Sequence, residues 1–327
     1  MTLTKKNGLK DKAKSNKEMA KVSVIIPVYN TEKYLSEALD SIVNQTLQDI
    51  EIITINDGSK DNSLQILNTY AQRDKRIKVF SQQNQGLSAT RNVGINKAIG
   101  KYIYFFDSDD ILAPMALEKC FDKCEAENLN FCIFDADIFY DDDSIDKLMF
   151  DYQRCGLLKD KIYSGKEIMR ELLPIGKFRA SSCLYLINLS YLRGLNLYYE
   201  HIIQEDELFS FILYIQAEKV GVIAETFFHR RVRKQSIMTV SYSSKNLNSY
   251  FFTVDKMIAF PAKDKATKDI VKSSCKNIVS VAVYRANVLD FATRLWCLQR
   301  VLSKYWRFCS AKSLLVCAFP FLIRHTK

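Results

Sequence analysis

Tyr102-Ile103-Tyr104-Phe105-Phe106 is an unbroken apolar run, and Asp107-Ser108-Asp109-Asp110 follows it directly. Such a run reads as a buried strand, so the carboxylates stand where that strand reaches solvent. Side chains alternate along extended backbone, which sends Asp107 and Asp109 to one side and Asp110 to the other. A hard ion such as Mg²⁺ or Mn²⁺ prefers oxygen ligands and is often held by one or two carboxylates plus substrate phosphates. Asp-x-Asp therefore suffices if a diphosphate supplies the rest. The plainer alternative for these four residues is a solvated, helix-capping turn.

The upstream sequence favours the first reading. Val22–Ile26, ended by Pro27, and Ile50–Ile55, ended by Asn56-Asp57-Gly58, are short β-branched runs that predict buried strands. Between them Thr31 is placed to cap a helix running to about Gln45, with Tyr34, Leu35, Ala38, Leu39, Ile42 and Val43 on one face. A second helix over Asn62–Gln72, a strand over Ile77–Phe80, a third helix over Leu87–Ala98 and a strand over Lys101–Phe106 continue the alternation. That order predicts an α/β domain with a mainly parallel, Rossmann-like sheet flanked by helices and joined by right-handed crossovers. Ligands of such sheets bind beyond the carboxyl ends of the strands. The clusters Pro27-Val28-Tyr29-Asn30, Asn56-Asp57-Gly58-Ser59 and Asp107–Asp110 all fall on that edge. No Gly-x-Gly-x-x-Gly follows the first strand, so a nicotinamide or flavin dinucleotide site is not indicated.

Downstream, Pro114 is expected to open a helix to about Asn128 at the favoured first position. Phe131–Phe134 predicts a further strand, and Asp135–Asp151 an acidic, solvated excursion. Periodicity is mixed from 152 to 240 and mostly helical and basic from Pro261.

Charge is unevenly distributed. Of the total +10, residues 1–21 carry net +5 and 261–327 net +10, leaving 22–260 at net −5. An acidic body with basic ends points to an anionic membrane surface rather than a nucleic-acid groove, and no nucleic-acid motif accompanies the charge. Nine cysteines without a CxxC pair, and only three His, argue against zinc and against a disulfide framework. The lysine-rich start lacks an apolar signal segment, so a reducing cytosol is the expected setting, with peripheral attachment to the inner face of a bacterial membrane. The apolar stretch Ser313–Ile323 is shorter than the ~20 residues that span a bilayer. Val279–Leu302 mixes aliphatic residues and Trp296 with Arg285, Arg294 and Arg300, followed by Arg307 and Lys312. That pattern suits a helix lying in the headgroup plane, or one whose apolar face packs on the catalytic domain.

Taken together, Val24-Ile-Ile-Pro-Val-Tyr-Asn30, Asn56-Asp-Gly-Ser-Lys-Asp-Asn-Ser63, Asn84-Gln-Gly-Leu-Ser-Ala-Thr-Arg-Asn-Val-Gly94 and Phe106-Asp-Ser-Asp-Asp110 resemble the family 2 glycosyltransferases in order and spacing. The resemblance runs from Val22 to Thr239, strongest through Asp110, and implies the GT-A fold. It divides the chain into a basic arm (1–21), a GT-A domain (22–240) split into nucleotide-sugar (22–112) and acceptor (113–240) halves, and a helical basic extension (241–327).

By that resemblance, Pro27 and Tyr29 pack near a uracil whose ring N–H Asp57 accepts. Arg91 lies near the nucleotide or its phosphates, Asp107 and the adjoining Ser108 belong to the nucleotide site, and Asp109 holds a divalent Mn²⁺ or Mg²⁺. Asp110 caps the following turn. Gln204-Glu205-Asp206-Glu207-Leu208-Phe209 resembles the family's Glu-Asp motif, with Asp206 as general base and Glu205 as the fallback. Arg231 and Arg233, in Arg230-Arg231-Val232-Arg233-Lys234-Gln235-Ser236, match a basic loop that clamps the diphosphate. His229 and Arg230 stand where aromatic residues are more usual, which leaves the role of His229 open.

The implied activity is inverting transfer from a UDP-sugar to a saccharide or lipid-linked saccharide in bacterial polysaccharide, capsule or lipooligosaccharide assembly. A polyprenyl-phosphate sugar synthase and a catalytically silent nucleotide-sugar binder are the alternatives. A processive synthase is disfavoured because Gln-x-x-Arg-Trp and a set of membrane helices are missing.

Overall fold

A computed structural model describes residues 20–141, 151–233 and 242–318. Most of the basic arm, the acidic residues 142–150, the loop residues 234–241 and the end of the last apolar run lie outside the described residues.

The chain runs β1 (Val22–Val28), α1 (Glu32–Val43), β2 (Ile50–Asn56), α2 (Ser63–Arg73), β3 (Ile77–Ser81), α3 (Leu87–Lys97), β4 (Tyr102–Phe105), β5 (Ile111–Leu112), α4 (Ala116–Glu127) and β6 (Phe131–Tyr140). It continues with α5 (Gly165–Leu172), β7 (Tyr185–Asn188), α6 (Leu189–Gly194), α7 (Glu205–Ile215) and β8 (Val220–Val232). Among the described residues, α8 (Ser244–Ala259), α9 (Lys265–Arg285), α10 (Phe291–Arg300) and α11 (Ala311–Ala318) follow. One eight-stranded sheet has the order β3-β2-β1-β4-β7-β6-β8-β5. Its first four strands are parallel, β7 runs antiparallel to both β4 and β6, β8 is parallel to β6, and β5 closes the edge antiparallel to β8.

Both faces of the parallel half are covered, so β1 and β2 are buried at every position, as continuous apolar runs require. Pro27 does not end β1 but lies within it, paired with Ile55 of β2. It is tolerated in a central strand because Ile25 and Pro27 both face β4, and β4 pairing stops at Ile25–Phe105. The missing N–H of Pro27 therefore costs no ladder bond.

Several local expectations are corrected. Thr31 precedes α1, but its side chain makes no cap bond; its hydroxyl meets Ser108 Oγ at 3.1 Å. Pro114 lies in the turn before α4, outside the helix, and its carbonyl accepts from Thr46 N. Asp135–Tyr140 is no solvated excursion, because β6 continues through it along β8. Asp135 is buried and accepts the backbone N–H groups of Arg154 and Cys155, each at 2.9 Å. The β6–β8 register shifts on either side of Asp135; a bulge of this kind re-aims the strand beyond it. Asp107–Asp110 follow the end of β4 as a turn, so strand alternation does not govern where they point.

The C-terminal helices complete the core. Leu247, Phe251 and Val254 of α8 and Ile270, Val279 and Val283 of α9 share one hydrophobic cluster with Ile168 and Met169 of α5 and Phe209 and Leu213 of α7. Among the described residues no helix is long and apolar enough to cross a membrane.

Candidate active site

The site assembles at the carboxyl edge of β1, β2 and β4. Beyond β1, Tyr29 is half exposed, whereas Pro27 is buried in its strand. Beyond β2, Asp57 is buried, and its carboxylate accepts from Gln82 Nε2 (2.8 Å), Gln85 N (2.9 Å) and Gly86 N (2.8 Å). Those bonds fold the Asn84-Gln85-Gly86 turn against the strand end. Gly58 makes the close approach possible: its φ is +74°, and a Cβ there would meet Asn84 N at 2.9 Å.

The turn after β4 is organised by basic residues of other elements. Arg91 does not face outward from α3; it is 2% exposed and binds three carboxylates. Its guanidinium donates to Asp107 at 3.0 Å, Glu205 at 2.7 Å and Asp206 at 3.1 Å. Burial opposes its charge, but Asp206, Asp107 and Glu205 outweigh that and hold it firmly protonated. Arg91, expected at the nucleotide or its phosphates, ties Asp107 at the end of β4 to the Glu205–Asp206 pair on α7, because a rigid fork of donors can bridge several carboxylates at once.

Asp109 takes Arg233 Nε at 2.7 Å. Burial, and then Asp107, raises the Asp109 pKa against the pull of Arg233. Asp110 does not cap its own turn: buried, it accepts Arg231 N at 2.7 Å. Burial and the neighbouring Asp109 and Asp107 push its carboxyl well up. The hydroxyl of buried Ser108 is engaged by Thr31. Arg231 Nε donates to Asp109 O at 2.9 Å, and its guanidinium pairs with Glu37 and Asp141. Arg230 donates to Tyr152 Oη at 2.9 Å, and His229 Nδ1 meets Asp137 Oδ1 at 2.7 Å. Arg230 and Arg231 therefore belong to β8 rather than to a loop. Lys234 and Ser236 lie outside the described residues.

For a divalent ion, the donor set is oxygen only, with Asp109 beside Asp107 at the end of β4. These residues fit a hard cation that takes its remaining ligands from a diphosphate. In this structure Arg233 supplies the counter-charge at Asp109.

Asp206 lies in the first turn of α7. Gln204 caps that helix from the left-handed region at φ 57°, a conformation that costs non-glycine residues energy and recurs at functional sites. Three acids in the first turn suit the helix dipole, yet Asp206 has more specific partners. Ser182 donates to its Oδ1 at 2.5 Å, and Tyr199 in turn donates to Ser182 at 2.6 Å. Tyr199 stacks on Phe209 at 4.0 Å, which fixes the chain of donors. Sequence reasoning misses Ser182 and Tyr199, since neither lies in a periodic pattern or charged motif.

Burial, then Asp206, pushes the Glu205 carboxyl up to about 7, and the same two causes raise Glu207 to about 7. These acids ionise near 4.5 in an unfolded chain. Between those values the folded state holds more protons on these two groups, so their contribution to stability is fullest below pH ~4.5 and is lost as pH rises through 7. Among the described residues the Glu207 carboxyl has no hydrogen-bond partner, so Glu207→Gln should raise the thermal midpoint at pH 8 and flatten the decline between pH 5 and 8. Parallel melting curves for wild type and variant across that range would contradict this assignment.

Comparison with known proteins agrees with this geometry. The glycosyl transferase family 2 model matches residues 23–186. The chain belongs to glycosyl transferase family 2. EpsH of Bacillus subtilis is 36% identical over 228 residues, which are 68% of this chain and 63% of EpsH. The family 2 chain thus spans under two thirds of that relative's length. Among solved structures, S. aureus TarS 1–349 in complex with UDP-GlcNAc superposes with a TM-score of 0.67 at 16% identity, covering 93% of this chain and 92% of TarS. The mannosyltransferase PcManGT from Pyrobaculum calidifontis, in complex with GDP-Man and Mn²⁺, gives 0.60 at 13% identity, covering 95% and 82%. The mixed sheet with flanking helices is the GT-A fold that the motifs implied.

Proposed function

We propose that this family 2 protein is an inverting glycosyltransferase that moves a sugar from a UDP-linked donor to a saccharide or lipid-linked saccharide acceptor in bacterial surface-polysaccharide, capsule or lipooligosaccharide assembly. The observation that carries the reading is the buried guanidinium of Arg91, which joins Asp107 on the donor edge to Glu205 and Asp206 on α7. A structural ion pair needs one carboxylate, whereas three converging from both halves hold a reaction centre together.

In the proposed reaction, Asp206 takes the proton from an acceptor hydroxyl as its oxygen attacks the anomeric carbon. The bond from that carbon to the diphosphate oxygen breaks on the opposite side, its electron pair leaves with the nucleoside diphosphate, and the configuration inverts. Ser182, donating to Asp206 Oδ1, fixes the carboxylate and leaves Oδ2 to receive the proton. Arg91 bonds to Oδ1 as well and helps to fix the carboxylate in place. Asp109 would hold Mn²⁺ or Mg²⁺, which neutralises charge on the departing diphosphate. Arg233 and Arg231 stand beside Asp109 and would meet the same phosphates. Tyr29 would pack on the base, with Pro27 and Asp57 behind it at the buried ends of β1 and β2. The UDP-GlcNAc complex of TarS supports a uridine nucleotide, while the GDP-Man complex of PcManGT makes guanosine the competing outcome.

A panel of nucleotide sugars, assayed for hydrolysis and transfer with and without Mn²⁺, tests the reading. UDP-sugar turnover that needs the ion is expected. Asp109→Ala should abolish Mn²⁺-dependent UDP binding, read by calorimetry, while leaving the melting curve cooperative. Turnover that persists in EDTA would remove the metal from the proposal; donor binding without turnover under every condition would favour a silent binder.

A further inference from the structure

α10 (Phe291–Arg300) and the turns beside it carry two sets of apolar residues, one buried and one exposed. The buried set is Cys297, Val301 and Tyr305. Tyr305 stacks on Phe251 of α8 with ring centroids 5.0 Å apart and planes 3° from parallel. Trp296, partly buried, adds an edge-on contact to Phe251 at 5.8 Å. In the exposed set, Phe291 and Leu295 lie one turn apart on α10, Val288 stands in the turn before it, and Leu302 and Trp306 in the turns after it. Val288 is 71%, Phe291 68% and Trp306 57% exposed. Isolated exposed apolar residues need no explanation, but five within nineteen residues, two of them large aromatic rings, do.

Cations flank the stripe. Arg294 lies over the Phe291 ring at 5.8 Å and Arg307 over Trp306 at 5.1 Å. Arg285 and Arg307 are exposed. Among the described residues, none of Arg285, Arg294 and Arg307 has a carboxylate partner, whereas Lys304 pairs with Asp255. The segment 261–327 holds thirteen Lys and Arg against three Asp, in a protein whose 22–260 body is net acidic. Two copies meeting through this stripe would bring two basic segments together. Base stacking would engage the aromatic rings but leave Val288, Leu295 and Leu302 without a role. A surface that is apolar below and anionic above matches all of them.

We propose that this stripe docks the protein on a membrane rich in anionic lipid, with Phe291, Leu295 and Trp306 entering the headgroup region and Arg285 and Arg307 meeting lipid phosphates. The attachment is peripheral and reversible, and it orients the protein without crossing the bilayer. It does not depend on the sugar-transfer reading, because it rests on residues remote from the carboxylate cluster.

Flotation of the full chain with vesicles tests it. The α9 face belongs to the core, so deleting the extension would unfold the domain; substitutions confined to the exposed stripe avoid that. The wild type should float with phosphatidylcholine vesicles containing about one third phosphatidylglycerol, and not with phosphatidylcholine alone. High salt should weaken the association. Arg307→Gln should lower vesicle partitioning about five-fold, the factor that about 1 kcal/mol per cation corresponds to. The double variant Phe291→Glu, Trp306→Glu should stay at the bottom of the gradient with an unchanged melting midpoint. A wild type that never floats with anionic vesicles overturns the proposal, as does a double variant that floats normally. A dimer in sedimentation that the double variant dissociates, without vesicle binding by either, would assign the stripe to a second copy instead.

Discussion

Asp206→Asn should lower kcat by about 100- to 10,000-fold, the span that a positioned general base contributes, while donor affinity and the melting midpoint change little. The amide keeps the shape of the carboxylate and can still accept from Ser182, but it cannot take the acceptor proton. Because Asp107 and Glu205 remain on Arg91, the guanidinium stays paired and the fold has no reason to fail. Glu205→Gln is the informative control. Its carboxyl, pushed up to about 7, is partly protonated at neutral pH and is bound to Arg91 Nη1 at 2.7 Å. If Glu205→Gln is the dead variant and Asp206→Asn turns over normally, the base is Glu205. Ser182→Ala separates positioning from chemistry: it should lower kcat more than it raises KM.

Arg91→Met should be the most destabilising single substitution in the site, costing about 3–5 kcal/mol, because removing one partner of a buried ion cluster leaves its counter-charges uncompensated. Three carboxylates from α7 and the β4 turn would then face one another. With total stabilities of about 5–15 kcal/mol, a loss of that size moves the urea midpoint far even if the variant folds. The penalty should shrink at pH 5, where Glu205 takes up a proton more readily. Arg91→Lys should fold better than Arg91→Met and still lose turnover, since one ammonium cannot reproduce a fork that reaches three carboxylates. An Arg91→Met midpoint equal to wild type at pH 8 would show that the cluster is not coupled to stability.

Local chemistry made residues 22–112 legible from sequence. Alternating β-branched runs and amphipathic segments predicted β1 through β4 and α1 through α3 to within a residue or two, since each element carries its own period. Polar clusters at three strand ends marked the ligand edge, because a parallel sheet of this kind binds beyond its carboxyl ends. Residues 113–240 were less legible. β6 runs on through Asp135, whose buried carboxylate is satisfied by backbone donors from Arg154 and Cys155, and no pattern in an acidic stretch announces such partners. Pro27 looked like a strand end because its tolerance depends on where β4 stops.

What the amino-acid order determined by itself was the parallel strand-helix alternation and the residues of the carboxylate motifs, because turn chemistry, apolar period and side-chain type act over a few neighbouring positions. Which groups those carboxylates meet was decided only by tertiary structure. Arg91 reaches Asp206 across 115 positions, Arg233 reaches Asp109 across 124, and Arg231 gives its backbone N–H to Asp110 across 121. Contacts at such separation depend on how the sheet brings β8 and α7 back against the end of β4. The same is true of the C-terminal stripe: α10 and the turns beside it carry two sets of apolar residues, and only packing of Cys297, Val301 and Tyr305 into the core shows which set remains outside.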